Sequence, residues 1–153
     1  MNPDTANATT GLFAEMVCDV LGIGCCVRFR AQGWSMTPTI KETEKITVKP
    51  ATPSEVRVGD IVLYRKGGKL TAHRVMKTGS RRFIVRGDAL RDSDPPVEAA
   101  QILGKVVSVE RAGRCVSLTG RAARFLHRAR SRLSQIKRCL RFQRTRSTRG
   151  GMS

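Results

Sequence analysis

Between residues 27 and 118 the chain never sustains one hydrophobic pattern for long, and this limits its possible folds more than any other feature. Seven short runs enriched in β-branched residues follow one another: Val27–Ala31, Ile46–Lys49, Asp60–Arg65, Leu70–Lys77, Arg82–Arg86, Ile102–Glu110 and Cys115–Leu118. Turn-forming residues separate them, namely Pro50 with Pro53, Gly59-Asp60, Gly67-Gly68, Gly79-Ser80 and Gly113. In the first run Val27, Phe29 and Ala31 alternate with Arg28 and Arg30, the period of a half-buried strand. The Gly67-Gly68 break reads as a tight hairpin. Regular short strands joined by short turns predict a mainly β fold, an antiparallel barrel or sandwich.

Helical periodicity flanks this region. Phe13, Met16, Val17, Val20 and Leu21 form an apolar stripe, with Thr10 as N-cap and Gly22 or Gly24 as the stop. Residues 1–9 are small and polar and are expected to be disordered. Past Gly120, the residues Ala122, Leu126, Ala129, Leu133, Ile136 and Leu140 form a narrow seam on an arginine-covered segment. That pattern predicts a basic amphipathic helix over 120–142 and a disordered tail over 143–153. The folded domain is thus expected over 10–119.

The charge is concentrated in the C-terminal segment. Eleven of the 29 basic residues and none of the 12 acids lie in residues 120–153. Such a segment suits an anionic partner, either phospholipid head groups or nucleic acid. Aromatics are only 5% of the chain and no zinc finger or RNP-type box is present, so a membrane surface is the favoured partner and nucleic acid the weaker one. The five cysteines form no CxxC pair and have no His-containing metal spacing, so neither a metal site nor a cofactor is expected. Residues 12–27 are the most apolar stretch, but Glu15 and Asp19 interrupt them, and no spanning helix is expected. The first ten residues carry no positive charge and lead into no apolar h-region, which speaks against a signal peptide. A peripheral membrane or cytoplasmic location follows from these readings.

Three short segments carry groups capable of chemistry. Ser35 stands in Gly33-Trp34-Ser35-Met36-Thr37-Pro38-Thr39-Ile40, where Gly33 permits a sharp turn and Pro38 fixes the chain beyond. A serine hydroxyl needs a neighbouring base to become a nucleophile. Histidine is the residue type suited to that role, and one stands at His73 in Leu70-Thr71-Ala72-His73-Arg74-Val75. The acids Asp88, Asp92 and Asp94 cluster directly after a strand, in Gly87-Asp88-Ala89-Leu90-Arg91-Asp92-Ser93-Asp94.

Taken together these segments resemble the signal peptidases, specifically the branch of archaeal and endoplasmic-reticulum enzymes that use histidine. The resemblance runs from Arg30 to about Glu110. It rests on a Ser-Met-x-Pro box at Ser35–Pro38, Gly-Asp-Ile-Val at Gly59–Val62, His-Arg-Val at His73–Val75, a Gly-Asp box at Gly87–Asp94 and Ile-Leu-Gly-Lys-Val-Val at Ile102–Val107. Bacterial-type signal peptidases and LexA-like repressor proteases share the serine box but place a lysine where His73 stands. The resemblance implies a serine endopeptidase that removes a leader or signal segment from a precursor protein. Ser35 would be the nucleophile and His73 the base. Asp94 is the first choice to orient the imidazole and Asp88 the second, while Gly33, Met36 and Pro38 shape the box and its oxyanion site. A non-enzymatic nucleic-acid-binding or regulatory protein acting through its basic tail is the alternative. The chain departs from the family pattern at Gly33, where a hydroxyl residue is common, and at Glu44-Lys45, where Gly-Asp is usual, and the family's transmembrane anchor is not expected in it.

Overall fold

The computed structural model describes residues 3–119. Helix α1 (Pro3–Gly22) precedes eight strands: β1 (Val27–Arg30), β2 (Lys45–Pro50), β3 (Ile61–Lys66), β4 (Lys69–Thr78), β5 (Arg82–Arg86), β6 (Val97–Glu98), β7 (Ile102–Arg111) and β8 (Arg114–Ser117). Single 3-10 turns, Pro53–Glu55 and Ala99–Gln101, lead into β3 and β7. The segments expected as a basic helix (120–142) and a tail (143–153) lie outside the described residues.

The mainly β, antiparallel class is as expected, and the sheet is not closed into a barrel. All eight strands share one open sheet, ordered β1-β2-β7-β3-β4-β5-β6, with β8 added to β7. β7 makes this possible, because one of its edges pairs with β2 while the other serves β3 first and then β8. Closure would need a ladder between the outermost strands. β1 has four residues and β6 only two, which leaves too little edge for one. The Gly67-Gly68 hairpin forms as read, with Lys66 paired to Lys69 across it.

Strand β3 organises the interior. Its first four residues, Ile61-Val62-Leu63-Tyr64, are all buried, and the strand period sends them alternately to the two faces of the sheet. Ile61 and Leu63 join Met36, Ile40, Ile46, Val48, Val106 and Val109 under α1, which contributes Val17 and Leu21. Val62 and Tyr64 face a second cluster with Val56, Val75, Phe83, Val85, Val97 and Ile102.

The helix differs from its sequence reading in two ways. It starts at Pro3 rather than Thr10, so residues 3–9, expected to be disordered, are helical and Thr10 is interior rather than a cap. Proline suits the first helical position because its φ is already set and its missing N–H would have had no partner there. The face against the sheet is also rotated. Ala14, Val17 and Leu21 are buried while Met16 is 54% exposed. The small Ala14 lets the helix lie close to the sheet, and Phe13 closes its edge through an edge-to-face contact with Phe29 at 5.4 Å. The helix ends with Cys25 N–H donating to the Val20 carbonyl and Gly24 N–H to that of Leu21, with Gly24 at φ 86°, as in a Schellman motif.

Phe83 is 1% exposed at the centre of the second cluster. Phe83→Ala should therefore cost about 3–5 kcal/mol, through lost transfer energy and the cavity left behind. Urea denaturation monitored by circular dichroism measures it, and a loss below about 1 kcal/mol would mean that this face of the sheet is not packed as described.

Candidate active site

His73 lies on β4 opposite Val62 of β3, so it shares a face with Val62 and, one diagonal step along, Tyr64. It is 5% exposed. Ser35 lies in the loop between β1 and β2. Gly33 has a φ of 82°, a region that disfavours side chains, and it turns the chain just ahead of the serine. Met36 and Ile40 then anchor the loop by burying their side chains in the cluster under α1. Thr37 N–H donates to the Trp34 carbonyl and Ile40 N–H to that of Met36, and the Thr37–Pro38 bond is cis. Thus held, Ser35 Oγ stands 3.0 Å from His73 Nε2.

Asp94 Oδ2 contacts Nδ1, the other ring nitrogen of His73. The same carboxylate oxygen accepts a hydrogen bond from Tyr64 Oη at 3.1 Å, while that hydroxyl is 3.5 Å from His73 Nδ1. Asp94 is placed by its own N–H, which donates to the Val85 carbonyl at the end of β5. Burial, and then the Asp94 charge beside it, push the Tyr64 phenol above its ordinary value, so the hydroxyl keeps its proton and donates.

Of the two aspartates considered for orienting His73, the structure brings Asp94 to the imidazole and commits Asp88 elsewhere. Arg74 grips Asp88 bidentately, Nε to Oδ1 at 2.8 Å and Nη2 to Oδ2 at 2.6 Å. Thr39 Oγ1 donates to Asp88 Oδ2 at 2.5 Å, and Arg74 Nη1 donates to the Gly59 carbonyl at 2.8 Å. The ion pair is almost fully buried, with side-chain exposures of 4% and 5%. Gly87 lets this loop reach the serine, because a Cβ there would lie 2.6 Å from the Ser35 carbonyl oxygen. Ala89 N–H donates to that same oxygen at 2.9 Å.

Of the residues singled out in the sequence, the structure brings Ser35, His73 and Asp94 together, and it adds Arg74, Thr39 and Tyr64, which sequence reasoning missed. Arg74 is visible in hindsight as a charge inside a run whose next residue, Val75, is fully buried; a buried charge requires a partner. Tyr64 has a weaker signal, being the single tyrosine of the chain at the end of an otherwise apolar run.

The arrangement is capable of moving a proton. Nε2 can take one from Ser35, while the Asp94 carboxylate stabilises the charge that appears on the ring. Residues 14–107, which include all of these side chains, match the family described as Peptidase S24-like. No curated protein matches the chain.

Removing one partner of a buried ion pair leaves the other charge uncompensated. Arg74→Ala should destabilise the fold by about 3–5 kcal/mol, and urea denaturation with a parallel ¹⁵N spectrum checks it. A variant of undiminished stability would mean that the pair does not hold the loop.

Proposed function

Because the chain belongs to the Peptidase S24-like family, we propose that it is a serine endopeptidase of the signal-peptidase type, in the branch that uses histidine, and that it cuts a leader or signal segment from a precursor protein. The observation that carries this reading is the row Ser35 Oγ, His73 Nε2, His73 Nδ1, Asp94 Oδ2, in which each atom meets the next. A histidine at position 73 supports the histidine branch over the lysine-using relatives.

In this mechanism Ser35 Oγ attacks the scissile carbonyl carbon and His73 Nε2 removes its proton. The carbonyl π electrons move to oxygen, which the Ser35 N–H stabilises. His73 then returns the proton to the departing amine, leaving an acyl-enzyme on Ser35. Water attacks this ester by the same route, releasing the new C-terminus and restoring the hydroxyl. Asp94 holds the proton of the resting imidazole on Nδ1 and stabilises the imidazolium. Gly33 supplies no side-chain hydroxyl to the oxyanion, and one missing donor of this kind typically costs about 10²–10³ in rate.

The family match favours one further reading, a self-cleaving regulator with the same chemistry. Self-cleavage is first-order and independent of protein concentration, whereas cleavage of a precursor is not. Docking on an anionic membrane through residues 120–142 completes the proposal. No helix among the described residues is long and apolar enough to cross a bilayer.

Labelling with a serine-directed fluorophosphonate probe tests the reading. Wild-type protein should be labelled, and Ser35→Ala and His73→Ala should not be, although both remain folded. Asp94→Asn should slow labelling by about 10³–10⁴, since the imidazole loses its orienting partner. Asp88→Asn should lower stability first. Labelling of folded His73→Ala at the wild-type rate would rule the mechanism out.

For the tail, the full chain should co-sediment with anionic vesicles at low salt and be released at high salt. Each basic residue near such a surface contributes about 1 kcal/mol. A chain ending at Leu118 should not bind, and equal sedimentation of both would exclude the tail from membrane docking.

A further inference from the structure

Asp94 is more open to solvent than the imidazole it meets. Its side chain is 23% exposed, on a loop, whereas that of His73 is 6% exposed. A carboxylate so placed can turn toward water. Tyr64 opposes this from the most deeply enclosed strand of the sheet, where it is 1% exposed. Its hydroxyl reaches Oδ2, the carboxylate oxygen that also meets His73 Nδ1. Among the described residues, Asp94 and Tyr64 are the side chains that meet His73 Nδ1. Ser35 occupies the opposite ring nitrogen, and Arg74 and Asp88 are bound to each other.

We infer that the Tyr64 hydroxyl is a positioning group: it holds the Asp94 carboxylate against His73 and so keeps the imidazole proton on Nδ1, with Nε2 bare toward Ser35. Which ring nitrogen carries the proton is set by the hydrogen bond the other makes. An imidazole without an acceptor at Nδ1 favours the opposite tautomer, and in that form Nε2 cannot accept the serine proton. The phenol is suited to this task because it stays protonated beside the carboxylate and donates without adding a charge. The consequence for catalysis rests on the peptidase reading above, but the tautomer is a property of the resting protein.

The test therefore reads the tautomer directly. Side-chain ¹⁵N–¹H correlation spectra of the full chain contain two histidines, His73 and His127, which a His127→Gln variant tells apart. Wild-type His73 should show a proton on Nδ1 and an unprotonated Nε2. In Tyr64→Phe, which keeps the ring and loses only the hydroxyl, the Nε2 resonance should move toward the protonated value. Fluorophosphonate labelling of Ser35 should slow about tenfold, the scale of one hydrogen bond to a charged group. An unchanged tautomer in folded Tyr64→Phe overturns the inference.

Should that variant fail to fold, Tyr64 can still be probed in place. As the single tyrosine, it can be replaced biosynthetically by 3-fluorotyrosine without labelling any other site. Asp94→Asn removes the charge that opposes phenolate formation, so the ¹⁹F titration midpoint should fall relative to the chain that retains Asp94. An unmoved midpoint overturns the link between the two residues. Wild-type protein that shows the expected tautomer yet takes up no probe counts against the peptidase reading and leaves the role of Tyr64 intact.

Discussion

The buried Arg74–Asp88 pair is the interaction on which the rest of the site depends. Two charges withdrawn from water are costly unless their hydrogen-bonding capacity is met. Here Asp88 takes two bonds from the guanidinium and one from Thr39, while Arg74 spends another donor on the Gly59 carbonyl. Those bonds tie four segments together: the serine loop, the turn before β3, strand β4 and the loop after β5. Because Arg74 directly follows His73, whatever fixes the arginine on one side of β4 also fixes the histidine on the other.

Asp94 follows from the same constraint. The loop that carries it is tied near its start by Asp88 and by the Ala89 bond to the Ser35 carbonyl, and near its end by the Asp94 bond to Val85. A loop held at both points delivers a carboxylate to Nδ1 while its earlier part lies against Ser35. Glycine at position 87 is the residue that permits that approach. The two aspartates thus have different partners: Asp88 ties Arg74 to the serine loop, and Asp94 meets the imidazole.

Much of this could be read from the residues, and the gaps have physical causes. The strands were legible because each carries its own period and turn signal. β6 was not, because two residues beside Pro95 and Pro96 give no period to detect. The openness of the sheet depends on which strands share the two edges of β7, a long-range property that local pattern does not encode. Ser35 and His73 stood out through the ordered motifs that resemble the signal peptidases, since neither residue alone marks a site. Asp88 and Asp94 follow the same strand and differ only in what their loop brings them to, so sequence left both in contention. Arg74 reads as an outward-facing residue until its partner is known, and the apolar run Ile61–Leu63 would place Tyr64 in the interior whatever its hydroxyl does.

The central claim is that Ser35 is a nucleophile served by His73 and oriented through Asp94. A crystal structure of the full chain after reaction with a fluorophosphonate tests it most directly. The expected result is a covalent bond from Ser35 Oγ to phosphorus, a phosphonyl oxygen facing the Ser35 N–H, and His73 still bonded to Asp94 with Nε2 turned to the adduct. Density for the probe on any other residue, or an imidazole turned away from Ser35, would contradict it.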